Sequence, residues 1–274
     1  MILQADARHL PLDDQSVDLV FGSPPYTDCR LYLEDGKDLG ISRNVHEWVE
    51  WMLNVTTECL RICRGPVVWV AAGPTRKRNY WPACEGLMWE WFKRGGSMYR
   101  PCYWKRYGIP GSGGDQWFRA DVEYVMCFKR PGKLPWTDNT AMGHPCKYGP
   151  GGDPSHRMFD GARRRKGGSM EVQHYTQPVI ANPGTLIDTG AAGGGNMGSD
   201  LCSLNEAPFP EKLAEHFILS LCPPNGIVCD CFSGSGTTAQ MAITHGRKAV
   251  ACDLRFSQCE LTKRRIAQTQ PVLF

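Results

Sequence analysis

A short apolar run, Ile227-Val228-Cys229-Asp230-Cys231-Phe232, passes through Ser233-Gly234-Ser235-Gly236-Thr237-Thr238 into a helix-like stretch over residues 239–245, which Gly246 ends. A strand that turns through two glycines into a helix points to α/β packing, with backbone N–H groups at the helix N-terminus open to a ligand. The next apolar strand, residues 248–252, ends in Asp253, about where an acidic residue meets ribose hydroxyls in nucleotide-type α/β sites. The turn holds no lysine, which disfavours a phosphate-gripping P-loop, and its spacing is not the G-x-G-x-x-G of dinucleotide sites. A small nucleoside cofactor with an uncharged tail is the better match.

At the other end of the chain, Ser16-Val17-Asp18-Leu19-Val20-Phe21-Gly22-Ser23-Pro24-Pro25-Tyr26 alternates and then turns continuously apolar. This predicts a buried strand. Gly22 and two prolines stop it, because proline has no N–H for a ladder and pushes the residue before it towards extended geometry. The chain then enters a rigid loop offering carbonyl oxygens, a serine hydroxyl and an aromatic ring. That inventory suits an exocyclic amino group of cytosine or adenine, whose lone pair is delocalised into the ring. Two acceptors, the Pro24 carbonyl and the Ser23 side chain or carbonyl, can draw the amino hydrogens out of plane and localise that pair, with Tyr26 stacked on the base. Such a base must first leave the duplex. A Pro-Pro turn closing a strand is the alternative for this tetrapeptide taken alone.

Ser23-Pro24-Pro25-Tyr26, together with Asp230-Cys231-Phe232-Ser233-Gly234-Ser235-Gly236-Thr237-Thr238 and Ala207-Pro208-Phe209-Pro210, resembles the DNA amino-methyltransferases of the permuted beta class, which use S-adenosylmethionine on cytosine N4 or adenine N6. The order, catalytic loop first and cofactor loop last, is that group's own. Two departures are Cys231 where the group usually has proline, and Asn205 or Glu206 where a histidine often begins the Ala-x-Phe-Pro segment.

The resemblance implies a Rossmann-like methyltransferase fold, a mostly parallel sheet with helices on both faces, with a catalytic half at 1–130, an irregular target-recognition insertion at 131–203 and a cofactor half at 204–274. It implies catalytic Ser23, Pro24, Pro25 and Tyr26, and S-adenosylmethionine held by Asp6, Ala7, Phe209, Pro210, Asp230, Phe232, Gly234, Ser235, Gly236, Thr237, Thr238 and Asp253. In it the opening strand, residues 2–6, is the third strand of the cofactor half, so the helix at 257–267 leads spatially into the N-terminus. Asp6 then lies near the adenine; a strand-end turn aspartate is its structural alternative. Serine at the first position of the tetrapeptide leans towards cytosine, with adenine the runner-up.

Between the motifs, the chain reads as scaffold and insertion. Residues 44–63 predict a helix with Asn44 as N-cap, Glu47 three positions on, and Trp48, Met52, Val55, Cys59 and Ile62 on one face, stopped by Gly65 and Pro66. Residues 27–42 read as a polar loop over the active site. Residues 67–71 predict a buried strand, and residues 102–107 and 121–129 a pair closing the sheet. Pro210 suits a first helical position, with Leu213, Ala214, Phe217, Ile218 and Leu221 on one face.

The net charge of +3 permits nucleic-acid binding without announcing it. Its distribution says more: residues 61–106 carry ten Lys/Arg against Glu85 and Glu90, a local charge of +8. Arg76, Lys77 and Arg78 at the end of a strand, and Arg163, Arg164, Arg165 and Lys166 in the glycine-rich insertion, are the candidate DNA contacts. A solvated basic face and a basic linker ordered only on DNA are the alternatives.

The cysteines number 13, an odd count without a single Cys-x-x-Cys, which reads as reduced buried thiols of a cytoplasmic protein and not as a metal site. The longest apolar run, residues 66–72, is too short to cross a membrane. Pro101-Cys102 and Pro145-Cys146 offer a superficial proline-cysteine nucleophile for carbon methylation, but neither sits at a strand-to-loop site like that of Ser23. The remaining partner expectations are double-stranded DNA, a homodimer and a cognate restriction endonuclease in a bacterial, archaeal or phage setting. A catalytically silent nucleic-acid-binding relative and an RNA substrate are the other readings.

Overall fold

A computed structural model describes residues 1–27, 44–107, 117–146, 178–190, 200–201 and 208–269, with the backbone of short strands at Leu33–Glu34, Lys37–Asp38, Ser155–Arg157 and Arg163–Arg165. The proposed loop over the active site therefore lies almost wholly outside the described residues. The chain divides into two compact units, Met1–Thr137 with Thr185–Phe274, and Asp138–Gly184.

The first unit is built on one mixed sheet. Its strands are β1 Ile2–Gln4, β2 Leu19–Gly22, β3 Val67–Ala71, β4 Ser97–Met98, β5 Cys102–Lys105, β6 Val122–Lys129, β7 Leu186–Asp188, β8 Ile227–Asp230 and β9 Lys248–Asp253. They lie in the order β1-β9-β8-β2-β3-β6-β5-β7, with β4 also on β6, and β6 alone among them runs against the rest. The helices are α1 Val45–Ile62, α2 Ala83–Lys93, α3 Glu211–Leu221, α4 Thr237–Thr244 and α5 Phe256–Ala267.

The central strands are apolar throughout because both faces of the sheet are covered. Successive residues of β2 divide between two cores. Val20 joins Trp48, Met52, Val55 and Leu87 of α1 and α2, whereas Leu19 and Phe21 join Leu213, Phe217 and Met241 of α3 and α4. Helix α1 begins as its sequence dictates, with the Asn44 side chain accepting from the Glu47 N–H, and ends at Ile62 before Gly65 and Pro66. At one sheet edge β1 pairs in parallel with β9, Leu3 opposite Cys252, and the Cys259 thiol of α5 reaches the Leu3 carbonyl at 3.4 Å.

Two expectations need correction. Strands β5 and β6 do pair antiparallel, but they do not close the sheet, because β7 adds in parallel outside β5 with Ile187 opposite Trp104. Only the central residue of β7 is buried, so three residues carried too little period to be read as a strand. Pro210 is the residue before the helix and not its first turn: its ψ of 145° is extended, and its carbonyl accepts from the Leu213 N–H.

In the second unit, Asp138–Gly184, His144–Pro145 pairs with Ile180–Ala181 and Ser155–Arg157 with Arg163–Arg165, both antiparallel. The Asp138 carboxylate opens it by accepting from the Thr140 and Ala141 N–H groups.

Candidate active site

Strands β8 and β2 are neighbours, Cys229 opposite Val20, yet the chain leaves β8 towards β9 and β2 towards β3. This reversal of strand order opens a crevice at the carboxyl ends of the strands, the place where α/β sheets bind ligands. Both sequence motifs lead out of it. At Gly22 the two meet so closely that a Cβ would stand 2.4 Å from Asp230 Oδ1, so no other residue fits without displacing that carboxylate.

The loop after β2 is held at three points. The Ser23 hydroxyl donates to the Val70 carbonyl of β3 at 3.0 Å, and the Trp48 indole N–H of α1 donates to the Pro25 carbonyl at 2.7 Å. The Tyr26 hydroxyl lies 3.5 Å from Ser23 Oγ and donates to Glu123 Oε2 of β6 at 2.6 Å. The other Glu123 oxygen pairs with the Arg106 guanidinium. Burial, and then the Glu123 charge, push the Tyr26 phenol well above its ordinary range, so it stays a donor. Among the described residues no donor takes the Ser23 or Pro24 carbonyl. Both can accept from an amino group.

On the other side of the crevice, Gly234 and Gly236 turn through φ of 47° and 81° into α4. The turn is braced from behind. Asp253 Oδ2 accepts from the Gly234 N–H and its Oδ1 from the Arg255 N–H, while Thr262 of α5 donates to the Gly234 carbonyl at 3.0 Å. Arg265, 1% exposed, donates to Thr237 Oγ1 at 2.9 Å and to Glu211 Oε1 at 2.9 Å, tying α5 and α3 to the turn.

Asp230 is buried, and its Oδ1 accepts from the Phe232 N–H. Burial raises its carboxyl to about 7, and no Lys or Arg among the described residues pairs with it. A cationic ligand is what this carboxylate lacks, which fits a sulfonium cofactor. Phe232 packs against Trp51 and Trp69 at 5.6 and 5.7 Å, and Phe209 sits edge-on to Phe21 at 5.5 Å. At the end of β1, Ala7 is buried and the Asp6 carboxylate is clasped by Arg8, whose hydrogen bonds hold it below the ordinary range.

The motif residues are thus gathered around one crevice, whereas the DNA candidates are not all described. Arg76, Lys77 and Arg78 lie on a hairpin, Thr75–Arg76 against Asn79–Tyr80, that comes after β3. The backbone of Arg163–Arg165 forms a short ladder in the second unit, and Lys166 lies outside the described residues. Sequence reading missed Glu123, Arg106 and Arg265. An acid inside the apolar strand Val122-Glu123-Tyr124-Val125 was a signal for the first; Arg265 reads as part of the polar run Lys263-Arg264-Arg265.

Comparison with known proteins shows the family and the fold. Residues 17–264 match the model of the N6/N4 methyltransferase family, described as DNA methylase. The orphan methyltransferase M.BamHII of Bacillus amyloliquefaciens is 28% identical over 263 residues, covering 93% of this chain and 90% of its own. The cytosine-N4-specific PvuII DNA methyltransferase superposes with a TM-score of 0.68 at 19% identity, over 100% of this chain and 87% of that one. A candidate DNA modification methylase of Thermus thermophilus, solved with S-adenosylmethionine, gives 0.60 at 20% identity, over 99% and 95%. The mostly parallel sheet with helices on both faces is the Rossmann-like methyltransferase fold. With more than half of its length matched, the chain belongs to the DNA methylase family of N6- and N4-amino-methyltransferases, enzymes that use S-adenosylmethionine.

Proposed function

We propose that this protein transfers a methyl group from S-adenosylmethionine to the exocyclic N4 of a cytosine flipped out of double-stranded DNA, by direct in-line attack without a covalent enzyme intermediate. One observation carries the reading: the open Ser23 and Pro24 carbonyls and the anchored Tyr26 ring lie on a loop whose root, Gly22, touches Asp230 of the cofactor turn. When bound, S-adenosylmethionine supplies an electrophilic methyl group. Pro24 and Ser23 accept the amino hydrogens and localise the nitrogen lone pair, and Tyr26 stacks on the ring to fix its plane. The glycine turn and Asp230 hold the cofactor's polar end, Phe209 and Pro210 approach it from α3, and Asp6, Ala7 and Asp253 lie towards the nucleoside.

Adenine N6 offers the same hydrogens to the same acceptors and is the second reading, supported by the family's own breadth. The Arg76 to Arg78 hairpin and the Arg163 to Lys166 run take the DNA backbone in this proposal, with the second unit reading sequence. A cytoplasmic setting, where its DNA substrate is found, belongs to the same reading. Among the described residues no helix is long and apolar enough to cross a membrane.

Incubation with duplex DNA and S-adenosylmethionine, then digestion to nucleosides and mass spectrometry, tests it. N4-methylcytosine is expected; N6-methyladenine selects the second reading, and neither product on DNA of varied sequence would count against both. Tyr26→Ala and Asp230→Ala should both abolish methylation, and only Asp230→Ala should strongly weaken cofactor binding in calorimetry.

A further inference from the structure

Glu123 is 4% exposed, inside a strand whose next inward neighbour is Val125. A carboxylate in such a place is costly to desolvate unless both oxygens are partnered. Here both are, and the partners lie on different elements: Arg106 at the end of β5 and the hydroxyl of Tyr26 on the loop after β2. Arg106 is itself fixed, its backbone N–H donating to the Asp121 carbonyl at 2.6 Å and its guanidinium lying over the Trp104 ring at 5.4 Å. Two prolines with fixed φ lead into Tyr26, and its side chain must still choose among its χ1 positions. The hydrogen bond to Glu123 selects one of them, because it fixes where the hydroxyl end of the ring stands.

We infer that Glu123, with Arg106 as its counter-ion, is a positioning residue for methyl transfer: it fixes where the Tyr26 ring, on which the target base stacks, stands in the site. The inference rests on the function proposed above. Ser23 is anchored to β3, Pro25 to α1 and Tyr26 to β6, so three separate elements fix three consecutive parts of one loop. A base held a fraction of an ångström out of line loses reaction rate while the cofactor, across the crevice, still binds.

The test is a double-mutant cycle on single-turnover methylation, scaled to active sites by S-adenosylmethionine titration. Glu123→Ala and Tyr26→Phe should each slow the reaction, up to about 100-fold, with cofactor affinity within about twofold of wild type. The double variant should be no slower than the slower single, because both remove one interaction. Glu123→Gln, which keeps an acceptor for the Tyr26 hydroxyl, should restore most of the rate lost in Glu123→Ala.

A merely structural Glu123 gives another pattern: a lower melting temperature and fewer active sites, normal rate per site, and losses that multiply with Tyr26→Phe. That pattern overturns the inference. Should Glu123→Ala fail to fold, Glu123→Gln carries the test, since any rate it loses must vanish in the Tyr26→Phe background. A wild type that methylates no DNA takes down the proposed function and this inference together, whereas an active wild type with an unimpaired Glu123→Ala takes down this inference alone.

Discussion

Asp230 stands where two demands conflict. Burial lifts its carboxyl from an ordinary 3.8 to about 7, yet the contact to a cationic cofactor proposed above needs it ionised. In the free protein the folded state therefore keeps a proton between about pH 4 and pH 7 that the unfolded chain has released. The contribution of this group to stability is full at the acidic end and is lost as pH rises through 7. Asp230→Asn should remove that slope: relative to wild type its melting temperature without cofactor should rise between pH 5 and pH 8, as thermal denaturation will show. Cofactor binding has the opposite sign, wild-type affinity for S-adenosylmethionine falling below pH 7 while the weak binding of Asp230→Asn stays flat in calorimetry. Gly22→Ala, whose methyl group would strike Asp230 Oδ1, should lower stability by about 1–3 kcal/mol in chemical denaturation. Residues such as these were legible because their constraints are local: a glycine closing a strand, two prolines, two glycines before a helix. Glu123 and Arg265 were not, because their partners stand far away in sequence, Tyr26 97 positions from Glu123 and Glu211 54 from Arg265.

Among the elements, the Thr75–Arg76 and Asn79–Tyr80 hairpin departs furthest from what local chemistry favours. Its two turn residues, Lys77 and Arg78, have φ of 47° and 65°, the left-handed pair that Asn-Gly normally supplies. Each L side chain there costs about 1 kcal/mol. The hairpin is kept in place by Tyr80, which donates to Glu85 of α2, a carboxylate shared with Tyr124 of β6. Replacing the pair, Lys77→Asn with Arg78→Gly, should stabilise the protein by about 1 kcal/mol in denaturant while weakening DNA binding. If both side chains contact phosphates, the salt dependence of affinity, measured by fluorescence anisotropy, should lose a slope of about 2. An unchanged slope would remove this hairpin from the DNA interface. The sequence showed the charge but not the hairpin, since Thr75-Arg76-Lys77-Arg78 contains no turn-forming residue. Helix α1 was legible almost to the residue because cap, period and stop all agree.

For the molecule as a whole, the sheet and its crevice belong to one unit, and Asp138–Gly184 is separable from it. Replacing residues 138–184 by a flexible Gly-Ser linker should leave cofactor affinity within about twofold in calorimetry and abolish methylation or make it indifferent to sequence. The architecture could be read from the order of the motifs, whereas β7 and the limits of the second unit could not, because a three-residue strand and a glycine-rich stretch carry almost no period. The central pairing of β2 with β8 is sealed by the Ile227 N–H donating to Asp18 at 2.8 Å, across 209 positions of chain. On the ribosome, then, the Ser23 to Tyr26 loop emerges long before the strand that completes its floor. The nascent chain must wait, β2 unpaired on one side, until β8 is free of the exit tunnel. A polypeptide stalled before Ile227 has the Ser23 to Tyr26 loop without the floor that β8 and the glycine turn after it supply.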